Sequence, residues 1–82
     1  MIALLSCSKT NRIESFKHTN PNAPLKVAKQ FPEYKQLMPG TIWVMDGSKV
    51  VVHIVFTTVN NESSMAYGVF KKDGTFIKAN YE

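Results

Sequence analysis

An Asp73-Gly74 pair stands between two alternating runs in Met65–Tyr81, MAYGVFKKDGTFIKANY. Asp-Gly flanked by alternating apolar residues is the strongest short-range signal for a β-hairpin. If these two residues form the turn, Phe70 pairs with Ile77 on an apolar face of the ribbon. The other face then carries two aromatic residues and two lysines: Tyr67, Phe76, Lys71 and Lys78. We therefore expect rings and positive charges to alternate on a surface that faces water.

Two more turn signals precede this hairpin, so the second half of the chain predicts a four-stranded antiparallel meander over residues 41–82. A turn at Gly47 separates Thr41–Asp46 from Lys49–Val59, and a polar loop connects this second strand to the last hairpin. Apolar residues occupy both faces of Lys49–Val59, which is typical of a central strand covered on both sides. In either of the two registers that a turn at Gly47 allows, Trp43 faces the core.

The first half of the chain is predicted to add short helices to this sheet. In a polar segment over residues 6–24 that we predict to be flexible, Asn11 is positioned to cap a short helix. Leu25–Phe31 follows a proline and has an amphipathic pattern, and Glu33–Met38 is predicted to be a second helical piece that ends at Pro39-Gly40. Segments this short are stable only when they pack on the sheet. The apolar side of the helix in the polar segment consists of Ile13 and Phe16.

Together these elements predict a single domain, residues 1–82, of the α+β class with a predominantly antiparallel sheet. With Ile2–Leu5 as an additional strand, we expect a small four- or five-stranded curled sheet, or an SH3-like or OB-like partial barrel, with one or two short helices. The 44% hydrophobic content is that of a folded globular protein with one core. Gly68 lies inside a predicted strand, where it indicates a bulge, a barrel corner or a close approach by another segment.

Composition favours acidic partners and a reducing compartment. Ten Lys and Arg against six Asp and Glu give a formal charge of +4 and a pI near 9.4, which favours nucleic acid or an acidic protein surface. The single cysteine, Cys7, excludes an internal disulfide, so we expect a cytoplasmic protein. As an alternative, Leu4-Leu5-Ser6-Cys7 resembles the lipid-attachment box of bacterial lipoproteins. No run approaches the ~18 apolar residues of a membrane span, so no membrane partner is expected.

The sequence offers no set of residues typical of an enzyme, a metal site or a cofactor site. A nucleophilic mechanism requires a nucleophile beside a base, and only His18 and His53 are available as bases for Cys7 or a serine. His53 lies among valines in a strand, where a neutral, hydrogen-bonded core histidine is the ordinary interpretation. A structural metal needs about four clustered Cys or His ligands, and the scattered glycines form no phosphate-binding loop. We therefore expect a non-enzymatic protein without cofactor or metal.

The aromatic and basic face of the last hairpin is the main candidate binding site. Nucleobases stack on exposed aromatic rings for about 1–3 kcal/mol each, while lysines neutralise the phosphate backbone. This chemistry predicts a site for single-stranded nucleic acid, to which the hairpin tip and the polar segment add further phosphate contacts. The predicted contact residues are Lys71, Lys78, Phe76, Tyr67, Lys72, Arg12 and Lys17.

Three alternatives stay open for this face. In the first, the first half of the same chain covers the aromatic side chains. In the second, the protein is an interaction module, such as a small bacterial or phage regulator or inhibitor that docks on a larger acidic host protein, because aromatic residues and Met are enriched in interfaces. In the third, an exposed sheet edge pairs with another copy and forms a homodimer by strand addition.

Three short segments stand in an order that resembles macro domains, which bind ADP-ribose. They are Ala28–Glu33 (AKQFPE), Pro39-Gly40-Thr41 and Val50–Thr57 (VVVHIVFT). The resemblance covers about half of the chain and implies a reduced nucleotide-binding domain. Asn22-Ala23-Pro24 stands where the family has a glycine-rich turn, and the chain is shorter than the full fold. No ligand-binding residue is therefore carried over.

Overall fold

The computed structural model describes residues 12–82, which form a small α+β domain with two short helices and a four-stranded antiparallel sheet. The strands follow one another in the order β1-β2-β3-β4, which confirms the predicted meander. Within residues 12–82 the sheet is not closed into a barrel, so the partial-barrel alternative is wrong for this part of the chain. The elements are α1 over residues 12–19, α2 at Ala23–Ala28, β1 at Tyr34–Asp46, β2 at Lys49–Thr58, β3 at Ser63–Lys71 and β4 at Phe76–Tyr81.

Several sequence predictions fall on residues that the structure does not describe. They are the additional strand at Ile2–Leu5, the lipid-attachment alternative at Cys7 and the cap at Asn11.

The core lies between the helices and one face of the sheet. Alternate residues of β2 are almost completely buried on that face, with exposed fractions of 0–1%: Val50, Val52, Ile54 and Phe56. Burying each of these side chains contributes about 1.5–3 kcal/mol, so the central strand is the main source of stability. The helices cover it with Phe16, Ala23, Val27 and Ala28, and the stretch after α2 adds Phe31; all five are buried.

The helix α1 is held by an aromatic cluster. The Phe16 ring contacts the edges or faces of Trp43 and Phe70 at centroid distances of 5.9 and 5.8 Å. Ile13 packs against the same core, which confirms the apolar side predicted for this helix. The carbonyl oxygen of Phe16, near the end of the helix, accepts hydrogen bonds from the Asn20 backbone amide (2.8 Å) and from the Asn20 side-chain amide (3.1 Å), so Asn20 closes this end of α1.

The helix α2 begins two residues earlier than predicted, and Pro24 lies in its first turn. Proline is well tolerated there because the first amide groups of a helix have no partner within the helix. The helix ends at Ala28, and the chain continues through a short irregular stretch that contains the buried Phe31. The Tyr81 hydroxyl donates a hydrogen bond to the Glu33 carboxylate in this connection, and this contact raises the pKa of Tyr81.

The predicted helical piece at Glu33–Met38 is wrong, because most of it belongs to β1. Tyr34 pairs with Thr58 and Leu37 with Phe56, so both side chains reach the core from a strand. Residues three apart, such as Tyr34 and Leu37, share a face of a helix but not of a regular strand. The register shift between Tyr34 and Gln36 places both side chains on the core face of β1. Pro39-Gly40 does not end the element; it lies in a second register shift of β1, which is an edge strand and tolerates a missing N–H.

Gly68 allows α2 to approach β3 closely. A Cβ atom added at Gly68 would lie 2.2 Å from Val27 Cγ2, a distance that no real pair of carbon atoms adopts. Of the three explanations that the sequence left open for this glycine, the close approach of another segment is confirmed. The buried Val27 side chain therefore occupies the space that any larger residue at position 68 would need.

The register of the last hairpin differs from the prediction at its turn. Phe70 pairs with Phe76 and Val69 with Lys78, so Ile77 is an extra residue that forms a β-bulge. The turn is longer than two residues, because the Lys71 amide donates to the Thr75 carbonyl oxygen (2.8 Å). The predicted pairing of Phe70 with Ile77 is therefore wrong, although the pairs closer to the chain end agree with the prediction.

The long turn depends on the Asp73 carboxylate, which accepts hydrogen bonds from the side-chain hydroxyl (2.7 Å) and the backbone amide (2.9 Å) of Thr75. These bonds hold the pKa of Asp73 below its ordinary value of 3.8. A carboxyl group whose pKa is lowered on folding contributes stability above its unfolded value and loses it as the pH falls through the folded value.

We expect a 13C NMR titration of the Asp73 carboxyl group to give a midpoint below 3.8, because two hydrogen bonds favour its ionised form. In a Thr75→Val variant, which loses the hydroxyl donor, the midpoint should move up toward the ordinary value. An unchanged midpoint in that variant would show that the hydroxyl does not hold the carboxylate.

Candidate functional site

The sheet has a second face that no other described element covers, and we call it the open face. It consists of the side chains that alternate with the core residues of the four strands. The open face comprises Gln36, Met38, Ile42, Val44, Asp46, Lys49, Val51, His53, Val55, Thr57, Ser63, Met65, Tyr67, Val69, Lys71, Ile77, Lys78, Asn80 and Glu82. The sequence predicts that both sides of β2 are covered. Within residues 12–82, the helices cover one side and no element covers the other.

Aliphatic side chains form the centre of the open face. Val51 pairs with Val44 on one side and with Val69 on the other, so three valines lie in one row across the sheet. Val55 and Met65 form a second apolar row nearer the other end. Ile42 and Met65 are 59% and 53% exposed, although both are large and apolar. Val69 is buried (8% exposed) and Val51 and Val55 are half-buried, so Ile42, Val44 and Met65 supply most of the exposed apolar area. Exposed apolar patches of this kind mark interaction sites.

One end of the open face carries positive charge. Lys49 and Lys71 are directly paired across β2 and β3, and Lys78 lies one row further along, paired with Val69. Like charges placed directly opposite each other on a sheet are destabilising, so an anionic group that binds between them would relieve that repulsion. Asp46 pairs with Lys49 on its other side and offsets part of this charge.

A polar group lies near the middle of the open face. His53 Nδ1 is 3.0 Å from Glu82 Oε1, and the imidazole lies beside the Tyr67 ring at a centroid distance of 6.2 Å. His53 is half-buried, so the interpretation as a hydrogen-bonded residue is right, while its placement in the core is wrong. The row of valines, the charged end and His53 border a shallow concavity of about 790 Å³, and Val55 and Met65 border a neighbouring one of about 250 Å³.

The structure brings only part of the predicted contact set together. Tyr67, Lys71 and Lys78 share the open face, as predicted. Phe76 lies on the opposite face, where its ring contacts Phe70 at 5.4 Å, so the predicted grouping of Phe76 with the other three is wrong. The one-residue bulge explains the difference, because it exchanges the faces of Phe76 and Ile77.

The remaining predicted cations lie on the helical side of the sheet. Arg12 and Lys72 border a smaller concavity of about 320 Å³ between α1 and the hairpin ends, with Phe16 in its wall. Lys17 lies 3.5 Å from the Glu14 carboxylate and 5.9 Å from the centre of the Trp43 ring. These three cations are separated from the open face by the sheet itself, so they do not form one site with Lys71 and Lys78.

Of the open face, the predicted contact set contains only Tyr67, Lys71 and Lys78; it lacks the apolar centre and also Lys49, Ile77 and Glu82. Lys49 was identifiable, because its place beside Asp46 follows from the first hairpin. Ile77 lies on the open face because of the bulge in β4. Glu82 lies there because its backbone amide donates a hydrogen bond to the Met65 carbonyl oxygen of β3 (3.0 Å).

Among residues 12–82, no three Cys, His, Asp or Glu side chains lie close enough together to hold a metal ion. In the same part of the chain, none of the helices has the length and apolar content needed to cross a bilayer. No protein-family model, curated protein or solved structure matches the chain. The three segments that resemble macro domains lie at the end of α2 and the stretch after it, in β1 and in β2 of this antiparallel fold.

Proposed function

We propose that this protein is a small, non-enzymatic interaction module that binds a protein surface through its open face. The observation that carries the proposal is the apolar surface that Val44, Val51, Val55 and Met65 form on a sheet whose other face packs against the helices. Soluble monomers rarely expose a large contiguous apolar patch, and such a patch is often a binding site.

The composition of the open face favours a protein over a nucleic acid as the partner. Single-stranded nucleic acid is bound by stacking on aromatic rings, and Tyr67 is the one aromatic ring that this face offers within the described chain. Aliphatic side chains such as Val51 and Ile42 have no π-face, but they fill the centre of protein interfaces well. The lysines at one end of the open face then determine how the partner is oriented more than how tightly it binds.

The charge of the open face specifies the chemistry of the partner. Lys49, Lys71 and Lys78 surround one end of the apolar rows, so the partner must present an apolar patch with at least one carboxylate at its border. Such complementarity steers association and excludes surfaces with basic borders.

Photo-crosslinking in living cells tests this proposal. We place the photoreactive residue p-benzoylphenylalanine at Ile42 and, as a matched control, at Val59, which is equally exposed (59%) but lies in the loop after β2. We expect a discrete protein adduct from position 42, identified by mass spectrometry, and none of that mass from position 59. A Met65→Glu substitution should weaken the adduct at least about tenfold, because it places a charge in the apolar centre.

The same experiment separates the alternatives. An adduct at position 42 that disappears on nuclease treatment would replace the protein partner with a nucleic acid. Equal labelling from positions 42 and 59 would overturn the proposal, because it would show that the open face binds nothing selectively.

A further inference from the structure

We infer that the partner of the open face is a second copy of this chain, packed face to face about a two-fold axis that lies between the sheets and runs across the strands. The inference rests on the proposed function, since it names the protein that the open face binds. Two sheets that pack this way stand about 10 Å apart with their strands within roughly 30° of alignment. The same patch then serves both copies, as in any isologous dimer.

The rows of the open face are complementary to themselves under this rotation. The axis reverses each strand, so the row of Val51 and Val69 in one copy meets the row of Val55 and Met65 in the other. The middle row, which contains His53 and Tyr67, meets itself. Apolar side chains thus meet apolar side chains in the two rows that exchange places, while His53 and Tyr67 of one copy meet the same residues of the other between them.

The charges at the border also match under the same rotation. Lys78 of β4 lies in the row of Val69, and Glu82, the residue directly after β4, lies beside Met65. The two rows that exchange places therefore carry opposite charges along the same line of the sheet. Each copy therefore brings Lys78 close to Glu82 of the other copy, and the dimer has two such pairs. The paired Lys49 and Lys71 meet the uncharged Thr57 and Ser63 at the far end of the face.

The other face-to-face arrangement does not share this complementarity. A two-fold axis parallel to the strands places the lysine-bearing end of one sheet over the same end of the other. Lys49 of one copy then lies over Lys71 of the other. Four lysines then meet in one place, and like charges in an interface cost several kcal/mol. The axis across the strands avoids that contact.

The size of the open face agrees with a specific dimer. Four strands about 4.8 Å apart and about eight residues long at roughly 3.3 Å per residue present a projected face of about 500 Å². Two such faces supply about the 1,000 Å² that a specific interface requires. The interface is near the lower limit, so we expect a dimer that dissociates on dilution.

Sedimentation velocity of the full chain over a range of concentrations, with two charge reversals, tests the inference. Lys78→Glu places two glutamates opposite each other, and Glu82→Lys places two lysines opposite each other. Each variant alone should dimerise at least about tenfold more weakly than the unmodified chain. An equimolar mixture of the two variants should recover the lost affinity as a heterodimer, because both border pairs are then opposite in charge.

Matched reversals on other surfaces serve as controls. Lys29→Glu after α2 and Glu62→Lys in the loop before β3 change the net charge equally and are exposed, but both lie off the open face. They should leave the association constant within about twofold of the original. If the unmodified chain stays monomeric at millimolar concentration, the inference is overturned. If it dimerises but the mixture of variants recovers nothing, the arrangement of the two copies is overturned.

Failure of this inference is distinguishable from failure of the proposed function. A monomer whose position 42 still crosslinks to another protein keeps the open face as an interface and replaces the second copy with that protein. A crosslink from position 42 to residues 1–11 of the same chain overturns both, because the face would then be covered from within.

Discussion

Phe70→Ala is expected to lower the free energy of unfolding by about 3–5 kcal/mol, the range for deleting a fully buried phenylalanine. Phe70 is 1% exposed, and its ring contacts Phe16 of α1 and Phe76 of β4 edge to face. The substitution therefore leaves a cavity at the point where the first helix and the last strand meet. A domain of this length has roughly 4–12 kcal/mol of stability in total, so the variant should be close to unfolding.

Urea denaturation followed by the fluorescence of Trp43 measures this loss. Trp43 is the single tryptophan of the chain and contacts Phe16, so its emission reports on the same cluster. As a control, Val59→Ala removes exposed apolar atoms and should change the stability by no more than about 0.5 kcal/mol. A loss below about 1 kcal/mol for Phe70→Ala would contradict the packing described for this cluster.

Gly68→Ala is expected to destabilise the protein by about 3 kcal/mol, at the upper end of the usual range for overpacking a core. Inside a strand, replacing glycine by alanine normally helps, because it reduces the freedom of the unfolded chain. Here the added methyl group would lie 2.2 Å from Val27 Cγ2 and 3.2 Å from Val27 Cβ, so α2 must move away from the sheet. Because of this contact, the substitution should lower the stability, although glycine-to-alanine substitutions of this kind usually raise it.

A double-variant cycle isolates this contact. Val27→Ala alone removes two buried methyl groups and should cost about 2 kcal/mol. In the double variant the smaller side chain leaves room for the new methyl group, so the loss should be clearly smaller than the sum of the two single losses. Additive losses, measured by urea denaturation, would show that the two residues do not compete for the same space.

The parts of the fold that the sequence predicts correctly are those that depend on neighbouring residues. The alternation in β2 places Val50, Val52, Ile54 and Phe56 on one face whatever packs above them, and the first hairpin aligns Asp46 with Lys49 through a two-residue turn. The alternation follows from the period of a strand, whereas the sequence left two registers open for the first hairpin, and the structure has the one with Gly47-Ser48 as the turn.

The wrong predictions for β1 and β4 come from register shifts, in which one strand has an extra residue relative to its partner. The pattern of apolar and polar residues does not show where such an extra residue lies. In β1 a register shift gives Tyr34 and Leu37 a spacing that a helix shares, so the sequence pattern cannot distinguish the two elements. In β4 the bulge at Ile77 exchanges two neighbouring side chains between faces. The Asp73-Gly74 signal predicts a hairpin correctly, but the Thr75 contacts that lengthen its turn compete with the two-residue form.

The candidate site follows the same division. Tyr67, Lys71 and Lys78 belong to the regular part of β3 and β4, and their common face could be predicted. The site changes character because Phe76 leaves it and Ile77 joins it, so a face expected to alternate rings and charges has an aliphatic centre instead. One bulge thus decides whether the surface is suited to nucleobases or to a protein.

The irregularity at Pro39-Gly40 affects how the molecule behaves when it is crowded. β1 is an edge strand, and a regular edge offers a row of amide and carbonyl groups to which strands of other molecules can add without limit. Here Pro39 lacks an amide hydrogen, and Gly40 has a backbone φ of 115°, which interrupts the row near its middle. Fibril growth from this edge therefore has no continuous template, and concentrated solutions should contain closed, finite assemblies.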